Sequence, residues 1–126
     1  MRESLRYTDR MEISSAASTL ASGLDLQMRR LEASAVNVAN VATPGYEPTT
    51  VVGQTTPGGG VSPLAVPASI FPMSGLSDAA AIAVSGTDLA FEVVTQITAL
   101  SAYQAQVNAF RSIDEAERSF IDGLRA

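Results

Sequence analysis

The chain leaves its first helical segment within the stretch Asn-Val-Ala-Asn-Val-Ala-Thr-Pro-Gly-Tyr, residues 37–46, and this stretch decides the layout of the fold. Pro44 disfavours the α conformation at Thr43, because the proline ring crowds the residue before it. Gly45 can adopt the left-handed conformation that commonly ends a helix. The sequence therefore predicts an N-terminal helix that ends at Thr43 and is followed by a turn.

Proline and glycine divide the chain into three parts. All six prolines and seven of the nine glycines fall within residues 44–87, whereas residues 11–43 and 88–126 hold one glycine each and no proline. Because proline and glycine break helices and set turns, we expect a mainly α fold. Residues 11–43 and 88–126 are predicted to be long helices that form one coiled-coil domain. The middle segment, residues 44–87, is predicted either as a small β-hairpin or as an extended, irregular strap.

Both terminal segments carry an apolar stripe at helical spacing. Between residues 13 and 42 the apolar positions recur at a mean step of about 3.6, which is the α-helical repeat. A similar stripe lies between residues 89 and 124. The predicted seam between the two helices contains Leu20, Leu24, Leu31 and Val38 from the first helix and Val93, Ile97, Leu100, Val107 and Phe110 from the second.

Two polar features near the helix ends are open to more than one interpretation. Asn37 and Asn40 lie on one face of the first helix, where asparagine is a poor helix former. They could satisfy local backbone groups near the helix end, or they could hydrogen-bond across to a neighbouring helix, and their spacing leaves both open. At the start of the second helix we expect the N-cap oxygen to come from Ser85 or Thr87.

The composition argues against most catalytic, metal-binding and nucleic-acid-binding chemistry. The 126 residues include no Cys, His, Lys or Trp, so the chain has no disulfide, zinc finger, Ser-His-Asp triad or P-loop. A formal charge of −5 argues against electrostatic binding of nucleic acid. No run approaches the roughly 18 apolar residues of a membrane span. We therefore expect no enzyme activity, catalytic residue, metal or cofactor, no nucleic-acid partner and no transmembrane segment.

Two helices with one apolar stripe each make a marginal fold on their own. A two-helix hairpin buries little apolar surface. The free energy gained from this burial is small compared with the cost of the backbone entropy that is lost when both helices are ordered. Both segments are also rich in Ala and Ser outside the stripe, and small side chains let neighbouring helices approach closely. The sequence therefore favours a chain that gains its stability in a multi-chain assembly. The alternative is a self-contained helical monomer.

The boundary stretch resembles the N-terminal signature of the bacterial flagellar rod and hook axial proteins, which is N-x-A-N followed closely by T-P-G-Y. The matching residues are Asn37, Ala39, Asn40, Thr43, Pro44, Gly45 and Tyr46. In the C-terminal helix, Tyr103, Gln104 and Ala105 resemble the family's Tyr-Gln-Ala, although Gln106 replaces the Asn that follows. The short length and the Pro/Gly-rich middle are most similar to the small C-type proximal rod proteins of this family.

This resemblance implies a structural role. Family members form a coiled coil of terminal helices inside a helical polymer, the drive shaft that transmits torque and surrounds the export channel. The implied partners are further copies of the chain, other rod subunits, the adaptor at the rod base and the export apparatus. The implied location is the periplasmic rod of the basal body, reached by type III export without a cleaved signal peptide. The alternative function is a helical adaptor or export-associated protein of the same machinery.

The resemblance also bears on two local features. Met11 aligns with the usual start of family members, so residues 1–10 are assigned to an N-terminal extension that need not be ordered. The turn at residues 43–46 is implied to redirect the chain from the inner helix into an outer segment, with the ring of Tyr46 packed at that exit.

Overall fold

A computed structural model of the protein describes residues 2–68 and 86–125. In chain order its elements are α1 (Arg2–Ala39), β1 (Thr49–Thr55), β2 (Val61–Pro67) and α2 (Leu89–Arg125). The predicted mainly α fold, with two long terminal helices, is confirmed. Of the two interpretations of the middle segment, the hairpin is correct for residues 49–67, where the two strands form an antiparallel sheet. Residues 69–85, the rest of that segment together with the cap candidate Ser85, lie outside the described residues.

The first helix extends beyond the predicted start and ends before the predicted end. Residues 2–10, which we expected to form a separate extension, belong to α1. No glycine or proline precedes Gly23, so nothing in the sequence interrupts the helix there. At the other end α1 stops at Ala39, and the following bonds, such as the one from Asn40 N–H to Asn37 C=O at 3.1 Å, have the tighter i→i+3 spacing. The turn that follows contains Gly45 at φ 73°, the left-handed conformation expected from the sequence.

The second helix is capped by Asp88, and not by Thr87, which was one of the two residues expected from the sequence. The Oδ1 atom of Asp88 accepts hydrogen bonds from the N–H groups of Ala90 at 2.8 Å and Phe91 at 3.2 Å. These are the second and third residues of α2, whose N–H groups have no partner within the helix. The hydroxyl of Thr87 points elsewhere and donates to the backbone oxygen of Asn37 at 3.3 Å.

The hairpin has its prolines on one edge. The two strands pair antiparallel, from Thr49 opposite Pro67 to Thr55 opposite Val61. Pro63 and Pro67 have no N–H, so the pairs to which they belong cannot be the mutually hydrogen-bonded ones. Both prolines therefore direct their backbone toward the outer edge of β2, the position in a sheet where proline is tolerated.

The buried apolar core of the described chain is small. It consists of Leu26, Val51 and Ala99, one residue from each of α1, β1 and α2. Leu26 packs directly beneath the hairpin, since a Cβ added to Gly53 would lie 2.8 Å from the Cδ2 atom of Leu26. The hairpin therefore lies on α1, and glycine at position 53 permits this close approach.

The seam between α1 and α2 is more polar than predicted. Val93, Ile97, Leu100 and Phe110 are between 40 % and 60 % exposed. Within the single chain they therefore do not form a closed seam with α1, and the predicted coiled-coil pairing is not confirmed. The remaining predicted seam residues are half-buried: Leu20, Leu24, Leu31, Val38 and Val107. Periodicity identifies the apolar face of a helix but not the element that covers it. α2 turns the face with Glu92 and Ala99 toward α1, and each successive residue lies about 100° further around the helix.

Candidate functional site

Asn37 lies where both helices and the hairpin meet. Its side chain is 1 % exposed. Its Nδ2 atom donates to the backbone oxygen of Thr49 and to Oε1 of Glu92, both at 2.7 Å. Its Oδ1 atom accepts from the hydroxyl of Tyr46 and from the N–H of Thr49, both at 3.0 Å. These bonds use the full donor and acceptor capacity of a carboxamide. We call the four residues Asn37, Tyr46, Thr49 and Glu92 the Asn37 junction.

The side chains of α1 take the place of a neighbouring strand at the edge of β1. The carboxamide of Asn37 bonds both the C=O and the N–H of Thr49, as a facing residue does in an antiparallel pair. Further back on α1, Nε of Arg30 donates to the backbone oxygen of Val51 at 3.1 Å. Thr49 and Val51 belong to the pairs that are not mutually bonded within the hairpin, so these backbone groups need other partners. α1 supplies those partners.

Glu92 brings a buried carboxylate from α2 to the Asn37 junction. The residue is 4 % exposed, and its Oε1 atom accepts the bond from Asn37. Its backbone oxygen also accepts a bond from the hydroxyl of Ser34 at 3.3 Å. One turn further along α2, Nε2 of Gln96 donates to the same Ser34 hydroxyl at 3.1 Å. Buried polar groups are costly unless they are bonded, so α1 and α2 must be in place together.

The sequence left open whether the two asparagines bond across to another helix or to local backbone groups, and the structure shows one of each. Asn37 bonds across to α2, whereas Asn40 satisfies local groups. The Nδ2 atom of Asn40 donates to the backbone oxygen of Val36 at 2.9 Å, and its Oδ1 atom accepts from the hydroxyl of Thr43 at 3.2 Å. The half-buried Tyr46 is held through its hydroxyl, in the bond to Asn37. The packing of its ring at this exit, which the resemblance implies, stays a prediction.

The other residues that carry the resemblance to the axial proteins lie outside the junction. Ala39, Pro44 and Gly45 are exposed. On α2, Tyr103 is half-buried, and Gln104 and Ala105 are exposed, about three turns beyond Glu92. The structure therefore brings together Asn37 and Tyr46, with Asn40 and Thr43 beside them, and leaves the C-terminal match of the signature elsewhere on α2.

The turn of the hairpin is docked on α1 through Ser22. Its hydroxyl accepts a bond from the N–H of Val61 at 3.1 Å and donates to the backbone oxygen of Thr19 at 2.7 Å. Gly60 has a φ of 87°, and a Cβ at this position would overlap the Ser22 hydroxyl. Glycine is required here both by the backbone conformation and by the close contact.

A cleft of about 290 Å³ lies between β1 and α2 beside the junction. Its polar lining includes Arg30, Ser34 and Glu92, and its apolar lining includes Phe91 and Val94. The polar groups at the floor of the cleft are engaged in the contacts that hold α1, β1 and α2 together. The arrangement is therefore suited to joining elements, and its evident chemistry is hydrogen bonding.

The N-terminal part of α2 exposes an apolar surface without charge. Between residues 89 and 110 the only charged residue is Glu92, which is buried. We call the half-exposed side chains at helical spacing the α2 stripe: Leu89, Val93, Ile97 and Leu100. A surface helix normally carries charged residues on its solvent face, and a contiguous exposed apolar surface marks an interaction site.

Three residues of the site, Ser34, Glu92 and Gln96, were not predicted from the sequence. One signal for Glu92 was present, because it is a lone acid within a long uncharged stretch of α2.

Neither a scan of protein-family models nor a search of curated proteins finds a match to the chain. Within the described ranges, neither long helix is apolar enough over a sufficient length to cross a bilayer.

Proposed function

We propose that the chain is a structural subunit of the bacterial flagellar basal-body rod, of the small proximal kind. The resemblance of residues 37–46 to the axial-protein signature supports this assignment. Two residues of that stretch, Asn37 and Tyr46, are used in a fully bonded junction between elements. Because Asn37 and Tyr46 bond each other where the elements of the fold meet, they are suited to a structural role. The proposed role is mechanical and involves no catalysis.

The observation that carries the proposal is the exposed α2 stripe. Four half-exposed apolar side chains on one helix face leave apolar area in water, and covering it would contribute about 25 cal/mol per Å². In the proposed polymer the α2 stripe packs against helices of neighbouring subunits in a coiled-coil arrangement. Contacts of this kind between different faces of successive subunits build an open helix of subunits instead of a closed dimer.

The proposal extends to partners and location. The chain would pack against further copies of itself and against other rod subunits, around an axis that leaves the export channel open. The adaptor at the rod base and the export apparatus would be its other partners. It would reach the periplasm through type III export without a cleaved signal peptide.

The test is complementation of a strain from which the gene has been deleted. The wild-type gene should restore motility and rods in purified basal bodies, whereas Ile97→Asp should reduce both at least tenfold, because it places a charge in the α2 stripe. The matched control is Ser112→Asp. It adds the same charge at an exposed position of α2, where the hydroxyl bonds only its own helix, and should restore motility fully.

Two results would contradict the proposal. Normal rods with Ile97→Asp would show that the α2 stripe is not a subunit contact. A tagged chain that is found as a discrete folded protein and is missing from the rods of purified basal bodies would favour the adaptor function.

A further inference from the structure

The fully buried apolar packing between α1 and α2 does little to distinguish one axial alignment from another. Among the buried apolar residues, Leu26 lies beneath the hairpin and Val51 belongs to it, which leaves Ala99 as the one on α2. An alanine that slides along a helix by one turn finds similar contacts at either position. Registers that differ by about 5.4 Å would therefore compete if only these apolar contacts acted.

Three polar side chains of α2, those of Glu92, Gln96 and Gln106, contact α1, and we call these contacts the rungs. The first joins Asn37 to Glu92 at 2.7 Å, and the second joins Ser34 to Gln96 at 3.1 Å. In the third, the side chain of Gln106 lies against Gly23, where an added Cβ would be 2.7 Å from its Nε2 atom. The three rungs run antiparallel and are consistent with a single alignment.

We propose that the rungs set the axial register of α2 on α1. This inference goes beyond the proposed function, because it concerns the fold of one chain in whatever assembly it joins. Buried polar contacts are poor sources of net stability, but selecting a register is the best-attested use of such groups.

A slip by one turn breaks all three rungs. Glu92 moves past Asn37, so its carboxylate stays in the seam without the amide donor. Ser34 loses Gln96 in the same movement. Gln106 moves from its place above Gly23 to the level of Thr19 or Gln27, where a side chain of α1 already fills the corresponding space. Each slipped alignment therefore leaves Glu92 and Gln96 without their partners on α1. The contact of Gln106 acts through shape alone, since its buried Oε1 atom has no hydrogen-bond partner among the described residues.

Spin labels can read the register directly, because the chain has no native cysteine. Ser15→Cys on α1 and Ser101→Cys on α2 place labels at exposed positions. With Gly23 level with Gln106, these two positions are about 20 Å apart along the axis. A slip of one turn therefore changes the distance between the labels by about 5 Å. Labelled chains are diluted into unlabelled ones in a state that is helical by circular dichroism, so that only distances within one chain are measured.

The rungs are removed from the α2 side alone, which leaves the contacts of α1 with the hairpin intact. The variants are Glu92→Leu and the triple variant Glu92→Leu/Gln96→Leu/Gln106→Leu. The matched control, Gln104→Leu/Asn108→Leu, adds similar apolar area at exposed positions of the same helix. The parent and the control should show one distance, with slipped forms below about a tenth. Glu92→Leu should show a second distance, and the triple variant should populate it comparably with the first.

Three other outcomes overturn the proposal. A single unchanged distance in both variants, with helicity retained, would mean that other contacts set the register. If one variant loses its helical circular dichroism, the distances between the spin labels in the other variant decide whether the rungs set the register. If both lose them, the rungs hold the helices together and do not select a register. A second distance in the control would show that added apolar area alone causes slippage.

Discussion

Replacing Asn37 by alanine should lower the free energy of unfolding by about 4 kcal/mol. The lost bond to the Glu92 carboxylate accounts for roughly 1.5–3 kcal/mol, because it leaves a charged group buried without its donor. The two bonds to Thr49 contribute about 1 kcal/mol each. The bond from Tyr46 contributes less, since this half-buried hydroxyl can turn toward water. The alanine itself is a better helix former and recovers about 0.5 kcal/mol.

The assay is urea unfolding followed by helical circular dichroism, at a concentration at which the chain is helical. The matched control is Asn40→Ala, which makes the same chemical change three residues later. The Asn40 side chain bonds only near its own helix end, so its loss should cost about 1 kcal/mol or less. If Asn37→Ala and Asn40→Ala were equally destabilised within 1 kcal/mol, the Asn37 junction would not hold the fold as described.

Gly60→Ala should destabilise the hairpin by about 1–3 kcal/mol, because the residue has a φ of 87° and a Cβ there meets Ser22. Amide hydrogen exchange in β1 and β2 measures the stability of the hairpin. The neutral control is Gly58→Ala, because a Cβ at that position would meet nothing within 4 Å. Equal protection of the strands in both variants would contradict the reasoning. The isolated chain at low concentration should show weak helical circular dichroism that grows with concentration, because the α2 stripe then lacks partners. A cooperative thermal melt that is independent of concentration in the micromolar range would contradict this.

The sequence was sufficient for the large features of the fold. The concentration of prolines and glycines in residues 44–87 separated two helices from the segment that contains the hairpin, and Gly45 was placed correctly in a left-handed turn. These features are local, since they depend on what each residue permits in its own backbone. The start of α1 was wrong because it followed the family alignment of Met11, although nothing before Gly23 stops a helix.

The partners of the helix faces could not be read from the sequence in the same way. The apolar stripe of α2 was correctly located on the helix, but the structure covers the neighbouring face, with Glu92 and Ala99, and leaves Ile97 exposed. Which face is covered depends on contacts between residues far apart in the chain, such as Asn37 with Glu92. Spacing within one segment carries no information about such contacts, and the same limit left the roles of the two asparagines open.

The closed edges of the hairpin have a consequence for how copies of the chain can associate. Strands with free edges recruit further strands, and stacking of this kind leads to amyloid-like fibrils. Here the side chains of Asn37 and Arg30 bond backbone groups on the outer edge of β1. On β2, Pro63 and Pro67 have no backbone N–H that could bond a further strand. In the proposed assembly these hairpin edges disfavour cross-β association, so that copies of the chain would meet through the exposed apolar face of α2.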